Sequence, residues 1–264
     1  LSGLPFSLSA HAKDIWTIPD WEKREKLEAA DWTTTCTGFN ARHLSGLAPG
    51  ADVALVYHGL DGSRFPAMAH DQVRDGSDAK DPLVILAVGR AVEKKGFDVL
   101  LEALAGCNFS WRLVHAGGGR LGPLEAQARR LGLTGRIDWL GGLDHDRLLE
   151  LYRGADLLVL PCRIAKNGDR DGIPNVLMEA MSQGTPAIST NVSAIPELIE
   201  DGQTGILVPP DDAAALGRAI TLLARDPVRR QQFGSAGAAR VASAFAMAAG
   251  IKHLAGRFAL NSEE

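Results

Sequence analysis

The sequence holds 264 residues, enough for one large or two modest domains, and 45% of them are apolar, ample for a core. Its 28 basic and 32 acidic side chains leave a net charge of −4, so no basic face dominates and no nucleic-acid partner is expected. Cys36, Cys107 and Cys162 are widely spaced, form no CxxC pair and stand beside no histidine cluster, so neither a disulfide framework nor a zinc site follows from spacing.

A reducing, cytoplasmic setting fits that cysteine usage best. No apolar run reaches the about 18–20 residues that span a bilayer. The chain begins at Leu1 rather than Met, so a missing signal peptide carries little weight.

In chain order, residues 1–60 carry short strand candidates at 6–10, 33–37 and 53–56 and a charged helix at 21–30. Three strands cannot bury a sheet of their own on this scale, so this stretch reads as the tail of another domain. Residues 61–81 are rich in Gly, Ser, Asp and Pro without periodicity, as in a linker. From residue 82 short apolar runs alternate with amphipathic stretches. Strands are predicted at 83–88, 111–116, 137–140, 157–160, 185–189 and 205–208. Between the first two, Phe97, Leu100, Leu101 and Leu104 fall on one helical face. Two further helices are predicted at 212–224 and 227–244. Such alternation implies an α/β fold with a doubly wound parallel sheet, one complete Rossmann-like domain.

In an open parallel sheet ligands bind beyond the carboxyl ends of the strands, so the loops there carry the interest. After the first strand come Gly89, Arg90 and Lys95 just before a helix. A sharp turn, two cations and free amides suit a diphosphate, although a solvated charged loop would look similar. After the second strand, Gly117, Gly118 and Gly119 let a backbone or a ligand come close, without the spacing of a dinucleotide fingerprint.

The fourth strand leads through a long loop to Asp171, Gly172, Ile173, Pro174, Asn175 and Val176. Pro174 suits the first helical turn and Gly184 the end of the helix. Glu179 lies mid-helix among apolar neighbours, where a carboxylate is costly unless something bonds to it. Paired hydroxyls of a sugar would serve; a buried Arg or an escape to solvent are the plainer readings. His11 follows the first strand candidate, and a lone histidine there is more often structural than catalytic.

Taken together, FSLSAHAKDIW (6–16), YHGLDGSRF (57–65), VGRAVEKKGFDVLLEA (88–103), DGIPNVLMEAMSQGTPAIST (171–190) and AIPELIEDGQTGILVPPDD (194–212) resemble, in order, the family 4 glycosyltransferases of group 1 type, retaining enzymes of the GT-B fold. The resemblance implies a nucleotide-diphosphate-sugar donor, a glycan, lipid-linked or small-molecule acceptor, and no metal or other cofactor. It implies that Arg90 and Lys95 hold the diphosphate, that Glu179 binds ribose and that Asp171, where the family usually has Glu, contacts the transferred sugar. His11 would face the donor at the domain interface, and Arg136 and Ile137 would lie by the base. Asp169-Arg170-Asp171 looks like a metal-binding DxD only superficially.

On this reading residues 1–62 are the remnant of an acceptor-binding domain, 63–81 a linker, 82–240 the donor-binding domain and 241–264 a helical tail. The chain would then be a fragment or truncated product of a longer enzyme that works in polysaccharide or glycoconjugate synthesis, with peripheral contact at the inner membrane face left open. Two alternatives stand beside transfer: a sugar-nucleotide epimerase of the same fold, and a module that binds nucleotide sugar without turnover. A phosphorylase would need a pyridoxal-phosphate lysine context that is not evident.

Overall fold

A computed structural model describes residues 4–66, 68 and 73–259. Residues 1–3 of the expected remnant, 67 and 69–72 of the expected linker and 260–264 of the expected tail lie outside the described residues.

The chain opens with β1 (Ser7–Ala10), the short α1 (Lys13–Trp16), α2 (Asp20–Ala29), β2 (Trp32–Thr35), α3 (Gly38–Leu47) and β3 (Val53–Leu55). The three strands form a parallel sheet in the order β1-β2-β3, in register with Ala10 beside Thr35 and Thr35 beside Leu55. Contrary to the expectation for so short a sheet, it has a small core of its own in Ile15, Leu27, Leu44 and Ala48. α3 was not foreseen. Its sequence is polar and glycine-containing, and it starts where the Thr37 hydroxyl accepts from the Asn40 amide at 3.1 Å.

The second sheet begins with β4 (Leu83–Val88), followed by a 3-10 turn at Glu93–Lys95, α4 (Phe97–Ala105), β5 (Trp111–Ala116), α5 (Leu121–Arg130) and β6 (Ile137–Trp139). Then come α6 (His145–Gly154), β7 (Leu157–Leu160), α7 (Asn175–Ser182), β8 (Ala187–Thr190), α8 (Ile195–Leu198) and β9 (Gly205–Val208). All neighbouring strands are parallel, in the order β6-β5-β4-β7-β8-β9. The central strands are buried on both faces, which is why they read as unbroken apolar runs. From β4 the chain winds outward to β6, returns to β7 and winds outward again. The reversal leaves a crevice between β4 and β7 at their carboxyl ends, so the loops after those two strands must border it.

Three helices close the chain: α9 (Ala213–Ala224), α10 (Pro227–Ala244) and α11 (Met247–Arg257). Asp212 and Asp226 cap the first two by accepting from the amides of Ala215 and Arg229. The position 240 expected as a domain end falls inside α10. α11 turns back to the first sheet, where Phe258 meets the Trp32 ring edge-on at 4.9 Å and Arg257 pairs with Asp52 at 3.1 Å.

The amino-terminal edge of the large sheet is tied by a buried charge. Asp156, fully buried ahead of β7, accepts from Arg74 Nε at 2.7 Å and the Val84 amide at 2.8 Å. Arg230 of α10, buried beside it, donates to the last carbonyls of α9, Leu223 and Ala224, at 2.7 and 2.8 Å. Removing the carboxylate takes the anionic partner from half-buried Arg74 and from buried Arg230, which lies 3.8 Å away. Asp156→Ala is expected to lower stability by about 3–5 kcal/mol, read as a lower midpoint in urea unfolding.

Candidate donor site at the sheet reversal

The glycines after β4 and β5 are explained first by backbone contact. Gly117 has φ +146°, and a side chain on it would sit 2.0 Å from the Gly89 carbonyl oxygen. Its bareness therefore serves a neighbouring loop rather than a ligand, whereas Gly118 faces open space. Gly96, at φ +65°, presses against the Pro161 carbonyl, where an added methyl would come within 2.0 Å. The loop after β4 is thus locked to the first residue after β7. Arg163 N donates to Lys94 O at 3.0 Å just beyond.

Fixed in this way, the two loops bring charges together over the crevice. Lys94 Nζ lies 3.1 Å from Asp169 Oδ1 and 3.1 Å from Asp171 Oδ1, and Lys95 Nζ lies 2.7 Å from Asp171 Oδ2. All four side chains are shielded from bulk water. Burial alone would raise the Asp171 carboxyl, but Lys95 and Lys94 more than offset it and hold the group below the usual carboxylate range. Burial likewise works against the Lys94 ammonium, and Asp171 and Asp169 overcome it and raise its pKa. Behind the cluster, burial pushes the Cys162 thiol up to about 12, so it faces Asp171 Oδ2 at 3.8 Å as a neutral donor.

The cluster stands before α7, whose first residue is Asn175, exposed at the crevice. Pro174 is the residue before the helix, one position earlier than expected, with φ −63°. Gly172 is packed against Thr37 of the first sheet, and Ile173 and Val176 lie against the main core. One turn on, half-buried Glu179 accepts from the Tyr152 hydroxyl at 2.7 Å. Burial and the adjacent Glu179 charge push the Tyr152 phenol well above its ordinary range, so it remains a donor. Only Oε2 is engaged among the described residues. The mid-helix carboxylate is therefore oriented by Tyr152, and Oε1 stays free.

The first sheet closes the other side. Cys36, Tyr57, His58 and Gly59 face Ile173, Asn175 and Met178 across a narrow cleft. Glu197 of α8 holds the two sheets there, accepting from the amides of Gly38 and Phe39 at 2.8 and 2.6 Å and from Tyr57 Oη at 2.9 Å. The carboxylate thus sits on the amino terminus of α3, the favourable end of its dipole. Arg170 stacks over Trp16 at 4.3 Å. His11 lies beside this cleft with its Nδ1 3.0 Å from His58 Nε2.

Of the residues singled out from sequence, Gly89, Lys95, Asp171, Gly172, Ile173, Asn175 and Glu179 border one crevice. Arg90 is exposed on its rim and forms no ion pair among the described residues. Arg136 and Ile137 do not join them. They stand at the amino-terminal end of β6, the opposite edge of a parallel sheet, where Arg136 stacks over Trp111 at 3.7 Å and donates to Phe109 O. The loop at the correct end of that strand holds Gly141 and Gly142, and Gly141 O accepts from the Gly117 amide at 2.7 Å. Sequence reasoning also passed over Lys94, Tyr152, His58 and Glu197. Lys94 alone carried a signal, as a second lysine in the loop already chosen. Two roomier hollows, of about 690 and 840 Å3, lie on the outer flanks of α4 and include neither Asp171 nor Glu179.

Residues 70–240 match the family described as Glycosyl transferases group 1. The chain belongs to that family. A putative colanic acid biosynthesis glycosyltransferase of Salmonella typhimurium is 34% identical over 186 residues, covering 67% of this chain and 43% of the relative. Glycogen synthase of Mycobacterium tuberculosis is 29% identical over 246 residues, covering 89% and 55%. The chain therefore spans about half the length of the curated relatives it matches. Among solved structures, Anabaena HepE in complex with UDP and glucose aligns at TM-score 0.79 with 20% identity, covering 96% of this chain and 71% of that one. This group 1 glycosyltransferase chain thus has the GT-B type of architecture, with parallel Rossmann-like sheets.

The ion cluster has a pH signature. With its folded pKa lowered, Asp171 contributes stability that is present above the ordinary carboxylate pKa and lost as pH falls through the folded value. Asp171→Asn is expected to cost roughly 1–3 kcal/mol at neutral pH. Thermal unfolding followed from neutral to acid pH should show the difference between variant and parent shrinking below the ordinary carboxylate range.

Proposed function

We propose that this chain carries the donor-binding half of a retaining transferase that moves a sugar from a nucleotide diphosphate to an acceptor hydroxyl. The observation that carries the reading is the meeting of Lys94, Lys95 and Asp171 with the start of α7 in the crevice at the sheet reversal. A diphosphate entering there would meet the free first-turn amides of α7 and two ammonium groups, for which it competes with the carboxylates of Asp169 and Asp171. On its arrival Lys95 turns from Asp171 to the phosphate oxygens, and Asp171 is released to accept from a sugar hydroxyl. The leaving diphosphate keeps the cations as its charge grows. Arg90 reaches in from the rim.

Glu179 Oε1, held ready by the Tyr152 bond to Oε2, accepts from the ribose hydroxyls. The base then rests on the Gly141–Gly142 loop rather than near Arg136. UDP bound in Anabaena HepE supports a uridine or similar nucleotide. When Lys95 turns away, Lys94 remains between Asp169 and Asp171, a poor state for a carboxylate nucleophile. This supports departure and attack on one face of the sugar, with retention of configuration. Lys94 stands where a divalent cation would bridge a DxD pair, so the reading needs no metal. A glycan acceptor, supported by the relatives' names, would approach from the His11 side. A cytoplasmic setting is supported by the three free cysteines. No helix among the described residues is long and apolar enough to cross a membrane.

The test is calorimetric titration of UDP, GDP and ADP, beside transfer assays with the corresponding sugar donors. Glu179→Gln and Lys95→Ala are each expected to weaken the preferred nucleotide by roughly 10–100-fold, as for loss of a charge-assisted bond. Unchanged affinity in both variants overturns the assignment. Nucleotide binding without turnover favours the binding-module alternative.

A further inference from the structure

The carboxyl ends of the first sheet bring together three side chains that stand far apart in sequence. β1 and β2 are in register at Ala10 and Thr35, so the residues that follow, His11 and Cys36, emerge side by side. Thr35 is in turn level with Leu55 on β3, and the chain beyond it places His58 against both. The nitrogens of the two imidazoles and the Cys36 sulfur all lie within 4.8 Å of one another. The cysteine that spacing along the chain left without a histidine neighbour therefore has two in space.

We propose that His11 Nδ1, Cys36 Sγ and His58 Nε2 form a binding site for a thiophilic divalent cation of the zinc class. One thiolate and two imidazoles suit zinc or cobalt and do not suit magnesium or calcium, which take oxygen ligands. Tetrahedral coordination with bonds of about 2.0–2.3 Å separates ligand atoms by roughly 3.3–3.8 Å. The imidazole nitrogens, now 3.0 Å apart, need to open by a few tenths of an ångström, and the sulfur, in a set that spans 4.8 Å, needs to close by up to about 1 Å.

The surroundings are already arranged for this. Ser9 Oγ lies 3.1 Å from His11 Nε2, and in the tautomer whose Nε2–H donates to it the lone pair is on Nδ1. Buried Asn40 holds the His11 carbonyl at 2.5 Å, fixing the backbone that carries the ring. The carboxylate of Asp14 accepts from the amides of His11 and Ala12 at 2.9 Å each. Burial, together with Asp14 and Glu197, pushes the Cys36 thiol up to about 11, so a bound ion has to displace its proton. The negative charge of the two carboxylates favours a cation.

A cavity of about 150 Å3, bordered by His11, Cys36 and His58 and roofed by α11, leaves room for water as the fourth ligand. On binding, the Cys36 thiol proton passes to solvent. The proton shared between the rings stays on His58, moving to its Nδ1, so both metal-facing nitrogens offer lone pairs and one proton is released per ion.

Cobalt(II) titrated into the whole chain is the probe, read by absorption. The expected result is one ion per chain with tetrahedral bands and a thiolate charge-transfer band, displaced by zinc and untouched by magnesium. Cys36→Ser should abolish the thiolate band. His58→Ala should weaken cobalt by more than the 10–100-fold typical of losing a supporting residue. Zinc should raise the melting temperature of the parent and leave that of Cys36→Ser unchanged, a comparison made within each folded protein. An octahedral spectrum, or a thiolate band that survives in Cys36→Ser, overturns the proposal. None of these readouts involves sugar transfer, so the site fails or stands separately from the donor site.

Discussion

The arrangement of the crevice depends on one piece of charge compensation, Asp171 between Lys94 and Lys95. A carboxylate placed this deep would otherwise take up a proton, and two ammonium groups this close would repel. Each needs the other, and both need the glycine contacts that hold the loop after β4 against the loop after β7. The strand order makes this meeting unavoidable: β4 and β7 are neighbours because the chain reverses between them. Local chemistry and sheet topology thus specify the same place. The cluster is also a preformed counter-ion arrangement, in which an internal carboxylate occupies cations that an anionic ligand would compete for.

Glu197 does for the two sheets what Asp171 does for the two loops. It comes from the large sheet's α8 and spends both oxygens on the first sheet, at the start of α3 and on Tyr57. Burial, then Glu197, pushes the Tyr57 hydroxyl up to about 12, so it remains a donor across neutral pH. The contact is charge-assisted on both amides and little exposed, and it acts beside the apolar packing of Tyr57 on Phe245 in holding the sheets together.

Much of the large sheet was legible because parallel strands buried on both faces leave runs such as 83–88 and 157–160 that have no other reading. The α7 region was legible for a different reason: Pro174 and Gly184 bound it, and Glu179 is chemically out of place within it. What the sequence concealed was distance. Direction was legible: a parallel strand from residue 137 puts Arg136 at its amino-terminal end, away from the crevice, and the parallel pairing of Leu113 with Ile137 upholds that rule against the role the resemblance implied. Tyr152 and Glu179 are 27 residues apart, and His11 and Cys36 are 25, so their contacts exist only through the fold. α11 was expected as a helical tail, but its docking was not legible, because its place is set by Trp32 and Asp52 at the far end of the chain.

The return of α11 has a mechanical meaning. The polypeptide passes from the first sheet to the second after β3 and comes back between α10 and α11, so the two halves are joined by a pair of straps. These straps are stitched together: the Leu60 amide donates to Phe245 O at 2.7 Å, and the Met247 amide to Leu60 O at 3.1 Å. Gly59, at φ +66°, lets them touch, since a side chain there would come within 2.6 Å of the Met247 nitrogen. A single tether would permit the halves to swivel about any direction. Two tethers laid side by side and bonded to each other resist such twist, and so keep the cleft between α7 and the first sheet in register.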